Sequence, residues 1–296
     1  MDLCSPNEIK RLLSRHGFRF SKAMGQNFLI DAAVPQDIAE LSGVGPESGV
    51  LEIGPGIGVL TALLAERAGK VCAVELDKRL LPILDETLAG FENVKVINAD
   101  IMKSDIPAIV SENFAGLSPC VCANLPYNIT TPVITKLIEC GLFERMTLMI
   151  QREVAQRICA LPGTADYGAF TVFVQYHCEP SLLFEVPPES FMPAPKVHSA
   201  VIRLERRVSP AVSPKDEKLF FRTVRAAFAL RRKTLANSLL SGFSGSLGKQ
   251  ELASAIERSG IDPGARGETL SLQDFSVLSD NIGALIAKGE NQCPKN

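Results

Sequence analysis

No stretch of this 296-residue chain approaches the roughly 20 consecutive apolar residues needed to span a bilayer. The N-terminus, MDLCSPNEIKRLLSRHG, also lacks the apolar core of a secretory signal. A folded, soluble, cytoplasmic protein with no membrane partner is the expectation, and 46% hydrophobic residues suffice for one large core or for a large and a small one. The eight cysteines include no C-x-x-C pair, and the three histidines, His16, His177 and His198, do not combine with any of them at ligand spacing. No metal is expected, and the cysteines read as reduced core residues. A strong charge of either sign is missing as well. At a net charge of −2 the chain as a whole does not attract nucleic acid, so any such affinity must come from local clusters. Two are present: Lys10, Arg11, Arg15, Arg19 and Lys22 near the N-terminus, and Lys215, Lys218, Arg222, Arg225, Arg231, Arg232 and Lys233 further on. By itself a basic helix can equally be a solvated face.

From about 49 to 151, β-rich runs alternate with helical stretches: GVLEI, KVCAVEL, VKVINA, CVCAN and MTLMI, each followed by a helix-like segment. Repeated βα units predict a parallel sheet with helices on both faces, an α/β fold that binds ligands at the carboxyl ends of its strands. Gly54, Glu75, Asp100 and Asn124 each follow a predicted strand and so fall along that edge. After 163, YGAFTVFVQYHCEPSLLFEV, a Pro-rich loop and AVIRLE are expected to complete the sheet. RRVSPAVSP reads as a linker, and four helical segments follow from about 215. The expected division is a catalytic α/β domain over 1–206, including the basic N-terminal arm, and a small all-helical domain over 207–296.

EIGPGIG places Gly54, Gly56 and Gly58 between the first strand and a helix beginning near Val59. Such glycines let the backbone approach a ligand, next to free helix N–H groups. The spacing is not that of the dinucleotide fingerprint G-x-G-x-x-G, because Val59 occupies the position of its last glycine. E-x-G-x-G-x-G is the pattern of S-adenosylmethionine-dependent methyltransferases, although the turn alone is also compatible with a ligand-free connection. Glu75, about twenty residues on, can accept both ribose hydroxyls. Asp77 reads as the N-cap of the next helix. Asp100 can accept from an adenine amine.

ANLPYNITTP, residues 123–132, then fits a methyl-transfer pocket. The exocyclic amine of adenine is a poor nucleophile because its lone pair is delocalised into the ring. The Asn124 side-chain oxygen and the Leu125 carbonyl can accept its two N–H groups and direct the lone pair at a methyl group. Pro126 fixes the turn, and Tyr127 can stack on the base. Asn is no base at neutral pH, so catalysis by positioning and electrostatics is expected, with the proton lost to water afterwards.

GQNFLID (25–31), LEIGPGIGVLT (51–61), VELD (74–77), NAD (98–100), ANLPYNITTP (123–132), FMPAPKVHSAVIRL (191–204) and RRKTLANSL (231–239) together resemble the small-subunit ribosomal RNA adenine dimethyltransferases. The resemblance covers nearly the whole chain. It implies a Rossmann-like S-adenosylmethionine-dependent methyltransferase sheet with a smaller all-helical domain. It also implies transfer of two methyl groups to N6 of each of two adjacent adenosines near the 3′ end of 16S rRNA in the small subunit. By position it puts cofactor contacts on Asn27, Leu29, Gly54, Gly56, Glu75, Asp100 and Asn124. Asn124, Leu125 and Tyr127 would hold the target adenine, and Phe191 would stack on its other face. The basic residues gain a purpose: Lys22, Arg222, Arg225, Arg231, Arg232 and Lys233 are expected to dock RNA phosphates. A monomer is the default for an enzyme that approaches a ribosomal particle.

Three rivals remain open to the sequence. A resistance-type methyltransferase of large-subunit RNA shares the glycine loop and N-x-P-Y, but Pro132 and RRKTLANSL favour the small-subunit reading. A DNA adenine methyltransferase would be expected to carry a separate base-reading domain. A non-catalytic assembly factor is disfavoured by intact Asn124, Tyr127 and Glu75.

Overall fold

The structure, a computed structural model, describes residues 1–20, 26–230 and 232–292. Lys22 and Arg231 therefore lie outside the described residues. The chain opens with α1 (Pro6–Arg15), a two-residue strand β1 (Phe28–Leu29) and α2 (Ala33–Leu41). It then alternates through β2 (Ser48–Ile53), α3 (Val59–Ala65), β3 (Lys70–Glu75), α4 (Leu81–Thr87), β4 (Val94–Asn98), α5 (Ile106–Asn113), β5 (Ser118–Asn124), α6 (Thr130–Cys140), β6 (Arg145–Gln151) and α7 (Arg152–Ile158). A further helix α8 (Ala169–His177) precedes β7 (Cys178–Val186), β8 (Phe191–Met192) and β9 (Ser199–Arg206).

Seven strands form one sheet in the order β4-β3-β2-β5-β6-β9-β7. The first five in that order pair parallel, and β9 runs antiparallel to β6. This is a Rossmann-like arrangement, and its inner strands β2, β3, β5 and β6 are largely buried, as expected where helices cover both faces. Val50, Leu51, Val71, Cys72, Val121 and Cys122, for example, are all buried. From β2 the chain moves outward to β3 and β4, then returns to β5 on the other flank. The crevice at the carboxyl ends of β2 and β5 is thus the topological switch point, where open α/β sheets bind ligands.

The N-terminal helix fixes what lies beside that crevice. Ile9, Leu12 and Leu13 form its buried stripe, while Lys10, Arg11 and Arg15 point to solvent. The stripe and Phe18 share a core with Ile57 of the glycine loop and with Leu80, Ile83 and Leu84 at α4.

Residues 169–177 depart from the strand expected there. AFTVFVQYH has the β-branched and aromatic composition of a strand, yet it forms α8, because packing overrides intrinsic preference at such positions. The Thr171 hydroxyl accepts the Gly168 N–H at 3.1 Å and donates to the Arg157 carbonyl at 2.6 Å, which secures the helix start. The strand follows only at Cys178, and its Pro180 is tolerated because β7 is an edge.

By internal contacts the chain divides into Met1–Ala155 with Pro180–Arg206, and Gln156–Glu179 with Arg207–Asn296. The second unit thus contains α8 as well as the residues beyond 207. Tyr167, Val172 and Tyr176 share one apolar core with Phe220, Leu239 and Phe275, a sequence-distant association that a division at 206/207 separates. Its other helices are α9 (Glu217–Phe228), α10 (Leu235–Phe243), α11 (Lys249–Arg258) and α12 (Leu272–Gln292). The Asp216 side chain caps α9 by accepting the Leu219 N–H at 3.0 Å. Gly242 lets α10 approach α9 closely, since a Cβ there would lie 2.3 Å from the Ala226 Cβ. Among the described residues no helix is long and apolar enough to cross a membrane.

Candidate active site

The glycine loop leaves β2 in a conformation that L side chains rarely adopt. Gly54, Gly56 and Gly58 have φ of 72°, 61° and 89°. Space constrains them too: a Cβ on Gly56 would meet the Phe28 ring at 3.3 Å, and one on Gly54 would meet Pro126 at 3.6 Å. The latter contact sets the loop beside the turn after β5. Helix α3 begins at Val59, where the glycine pattern ends.

A cavity of about 280 Å³ opens at this point. It is lined by Gly54 and Gly56 of the loop, by Glu75 and Asp100, and by Asn124, Leu125 and Tyr127. Asn27 and Leu29 reach it from the N-terminal segment, and Phe191 from the Pro-rich loop. These last two segments meet as an antiparallel ribbon, with Leu29 opposite Phe191 and Phe28 opposite Met192. All ten residues expected to form the cofactor and target-base site therefore line one cavity. The Phe191 ring is only 3% exposed, so it bounds the cavity as a wall and does not project into it.

Two carboxyl groups in the cavity are held out of water. Glu75 is 6% exposed, and its Oε1 accepts the Asp77 N–H at 2.7 Å. Burial pushes its pKa up to about 7, against the backbone N–H groups of Asp77, Gly56 and Leu76, which favour the charged form. Glu52, on β2 beneath the loop, is 1% exposed. Burial lifts it to about 8; the nearby Thr61 hydroxyl opposes that rise and Glu75 adds to it. Among the described residues neither Glu52 Oε2 nor Thr61 Oγ1 has a partner in hydrogen-bonding geometry. A buried acceptor without a donor marks a place where a cationic or hydroxylic ligand would be welcome.

Asp77 behaves differently from its neighbour. The Arg79 side chain donates to both of its oxygens, at 2.8 and 2.6 Å, and holds its pKa down to about 2. Asp77 also accepts the Gln26 amide at 2.8 Å, while the Arg79 guanidinium lies 5.1 Å from the Phe18 ring centroid. It does not cap α4, which starts four residues later; its Oδ1 closes a turn with the Arg79 N–H at 3.1 Å and its side chain ties down the N-terminal segment.

At the end of β5, Leu125 N–H donates to Met149 O at 3.0 Å, which extends the β5–β6 pairing by one bond before the chain turns. Pro126, with φ −57° and ψ 128°, redirects it into a short 3₁₀ turn. The Tyr127 hydroxyl lies 2.6 Å from the Ser199 Oγ, which fixes the ring from below. Burial pushes the Tyr127 phenol up, and the Ser199 hydrogen bond opposes this.

Sequence reasoning missed several members of the site. Leu76, 55% exposed, and Ile101 line the cavity directly after Glu75 and Asp100. The signal was the repeated acid-then-aliphatic pair, EL and DI, at successive strand ends. Gln26 and Met102 also line it, whereas Ser199, within the FMPAPKVHSAVIRL stretch, acts through Tyr127.

The basic residues of the second unit separate into two kinds. Arg222 was expected to face RNA, but its guanidinium donates to Gly242 O at 3.2 and 3.0 Å and lies 4.4 Å from the Phe243 ring centroid. It is occupied in joining α9 to α10. Arg225, Arg232 and Lys233 are exposed.

The sequence profile of the family described as ribosomal RNA adenine dimethylase matches residues 17–282. The chain is 49% identical over 288 residues to ribosomal RNA small subunit methyltransferase A of Geobacillus thermodenitrificans, covering 96% of this chain and 98% of the relative. It is 49% identical over 284 residues to the protein of the same name from Bacillus mycoides, covering 95% and 97%. Among solved structures it is similar to a dimethyladenosine transferase from Plasmodium falciparum, with a TM-score of 0.72, 26% identity and 84% of this chain against 95% of that one. It also resembles the 23S rRNA methyltransferase ErmE, with a TM-score of 0.67, 29% identity and 87% of this chain against 100% of that one.

Proposed function

The chain belongs to the ribosomal RNA adenine dimethylase family, and from that premise we propose that its cavity holds S-adenosylmethionine beside a flipped adenosine of 16S rRNA in the small subunit. The activity is that of an rRNA adenine N6-dimethyltransferase, and the proposed targets are two adjacent adenosines near the 3′ end, each receiving two methyl groups in the cytoplasm. The small-subunit assignment is favoured over a large-subunit one by 49% identity across 96% of the chain, against 29% to ErmE. The observation that carries the reading is the single cavity joining the glycine loop, Glu75 and Asp100 to the Asn124–Tyr127 turn.

The residues fit the cofactor. Glu75 is a buried acceptor suited to a ribose diol, Asp100 to an adenine amine, and Leu76 and Ile101 to the faces of a flat ring. Glu52 Oε2 lies buried near the glycines without a partner, and although burial favours its neutral form, an amino-acid ammonium or a sulfonium seated there would draw it to the charged one. The cofactor supplies an electrophilic methyl group on sulfur, which departs as a neutral thioether. The chain's own residues prepare the nucleophile. Asn124 Oδ1 and the Leu125 carbonyl accept the two N6 hydrogens and favour a pyramidal nitrogen aimed at the methyl carbon. Tyr127, anchored by Ser199, stacks on the base, and Phe191 closes the other side. The N6 proton passes to water after the N–C bond forms, so no side chain needs to act as a strong base.

Glu75 couples this site to pH. Its folded pKa of about 7 exceeds the ordinary 4.5, so its contribution to stability is fully present below the ordinary value and lost as pH rises through 7. Hydroxyl donors from a ribose favour the charged form and reverse that cost. Cofactor binding should therefore release a proton, and affinity should rise between pH 6 and 8, by up to roughly tenfold per unit below the titration point. Calorimetry in buffers of different ionisation enthalpy measures the proton directly; uptake in place of release would contradict the assignment of Glu75.

RNA docking by Arg225, Arg232 and Lys233 predicts a different dependence. Replacing the three with Gln should weaken small-subunit binding at low salt and flatten the plot of log affinity against log salt by roughly one for each phosphate no longer neutralised. S-adenosylhomocysteine affinity should be unchanged. An unaltered salt slope in filter binding would remove these residues from the interface.

A further inference from the structure

Lys136 stands on the second turn of α6, the helix that follows the Asn124–Ile129 segment, and its side chain spans to the turn after β4. Its ammonium donates to the carbonyls of Ile101 at 2.9 Å, Met102 at 2.9 Å and Ser104 at 2.7 Å. An ammonium has three N–H groups, and all three are used here. Lys136 thus differs from the exposed lysines of the chain: it has no donor left for a phosphate or a substrate.

The turn it grips carries Asp100. The Asp100 Oδ1 accepts the Met102 N–H at 2.9 Å, and the Asp100 carbonyl accepts the Ser104 hydroxyl at 2.8 Å and the Ser104 N–H at 3.0 Å. Ala99, Asp100, Ile101 and Met102 line the cavity, as do Asn124 to Ile129. Three carbonyl oxygens directed at one point repel each other unless a cation sits among them. Lys136 is that cation, and it is rooted in α6, which continues directly from the cavity-lining Asn124–Ile129 segment.

We infer that Lys136 is a positioning residue for the donor substrate, locking the Asp100 turn so that its carboxylate and the Ile101–Met102 surface are preset for the adenine end of the cofactor. The inference rests on the reading of the cavity given above. Lys136 contacts neither substrate; it acts through the loop, so its loss is felt in cofactor binding more than in the chemical step.

The test measures S-adenosylhomocysteine binding to the full chain by calorimetry, with KM and kcat for S-adenosylmethionine on small subunits. In Lys136→Met the affinity should fall roughly tenfold and KM should rise in parallel, with kcat changed much less. In an Asp100→Asn background the same substitution should cost little more, because both act through one turn. Should Lys136→Met fail to fold, Lys136→Gln, which keeps two donors, should show a smaller loss of the same kind. Affinity within twofold of the parent, or losses from Lys136→Met and Asp100→Asn that add in full, would overturn the inference. A parent protein that does not bind S-adenosylhomocysteine at all would instead overturn the reading of the cavity.

Discussion

Asn124→Ala should lose methyl transfer to small-subunit RNA by roughly 100- to 1000-fold while the protein still binds subunits. That is the range expected when one preorganised polar group is removed from the reacting centre. The substitution deletes the acceptor proposed for one N6 hydrogen and leaves the planar, delocalised amine in its unreactive form. The backbone of the turn should persist, because it is held by the Leu125 N–H bond to Met149 O and by Pro126, not by the amide. Methyl incorporation from labelled S-adenosylmethionine, paired with sedimentation of the protein with subunits, reads both quantities. A variant that methylates at near the parental rate would remove Asn124 from the chemistry. One that neither binds nor methylates would point to a structural role.

The second large effect concerns Glu75→Gln. The amide keeps the shape of the side chain and one oxygen for the Asp77 N–H, but it cannot offer a charged acceptor to two ribose hydroxyls. Hydrogen bonds to a charged group contribute about 1.5–3 kcal/mol each, so S-adenosylhomocysteine affinity should drop by roughly 100-fold or more. The fold itself should not suffer, and above pH 7 it should gain relative to the parent, because an ionised, buried carboxylate has been removed. Denaturant unfolding at pH 6 and pH 8.5 makes the comparison. If affinity and stability decline together, the carboxylate is a structural group and the ribose assignment falls.

What could be read in the sequence follows from how local each feature is. Four of the five parallel strands, β2, β3, β5 and β6, were legible because their centres are buried on both faces and so appear as short apolar runs, while the partly exposed β4 was marked by its β-branched Val94, Val96 and Ile97. Topology then placed Gly54, Glu75, Asp100 and Asn124 on one edge without any distance being known. The ribbon of β1 and β8 was illegible, since two residues carry no periodicity and their pairing joins positions far apart in the chain. Helix α8 was misread because its composition is that of a strand, and only the core it shares with Phe220 and Phe275 makes it helical. Arg222 belongs to a periodic basic face, and nothing local to α9 announces that Gly242 and Phe243 on α10 occupy it. Ser199 and Lys136 were missed for a related reason, as each acts by reaching a residue or turn distant in the chain, a pairing that no local pattern records.

The short ribbon also limits how this protein can be recombined. Phe28 and Leu29 belong to the segment proposed to contact the methyl donor, while Phe191 and Met192 belong to the loop proposed to cover the acceptor base. Each strand is only two residues long and finds its complement in the other. A chimera that takes its first thirty residues from a relative with a different RNA target would therefore bring in an edge unmatched to its resident loop. Grafts in this family should be cut so that the two segments travel together, and altering the choice of acceptor by loop exchange alone should disturb the donor site as well.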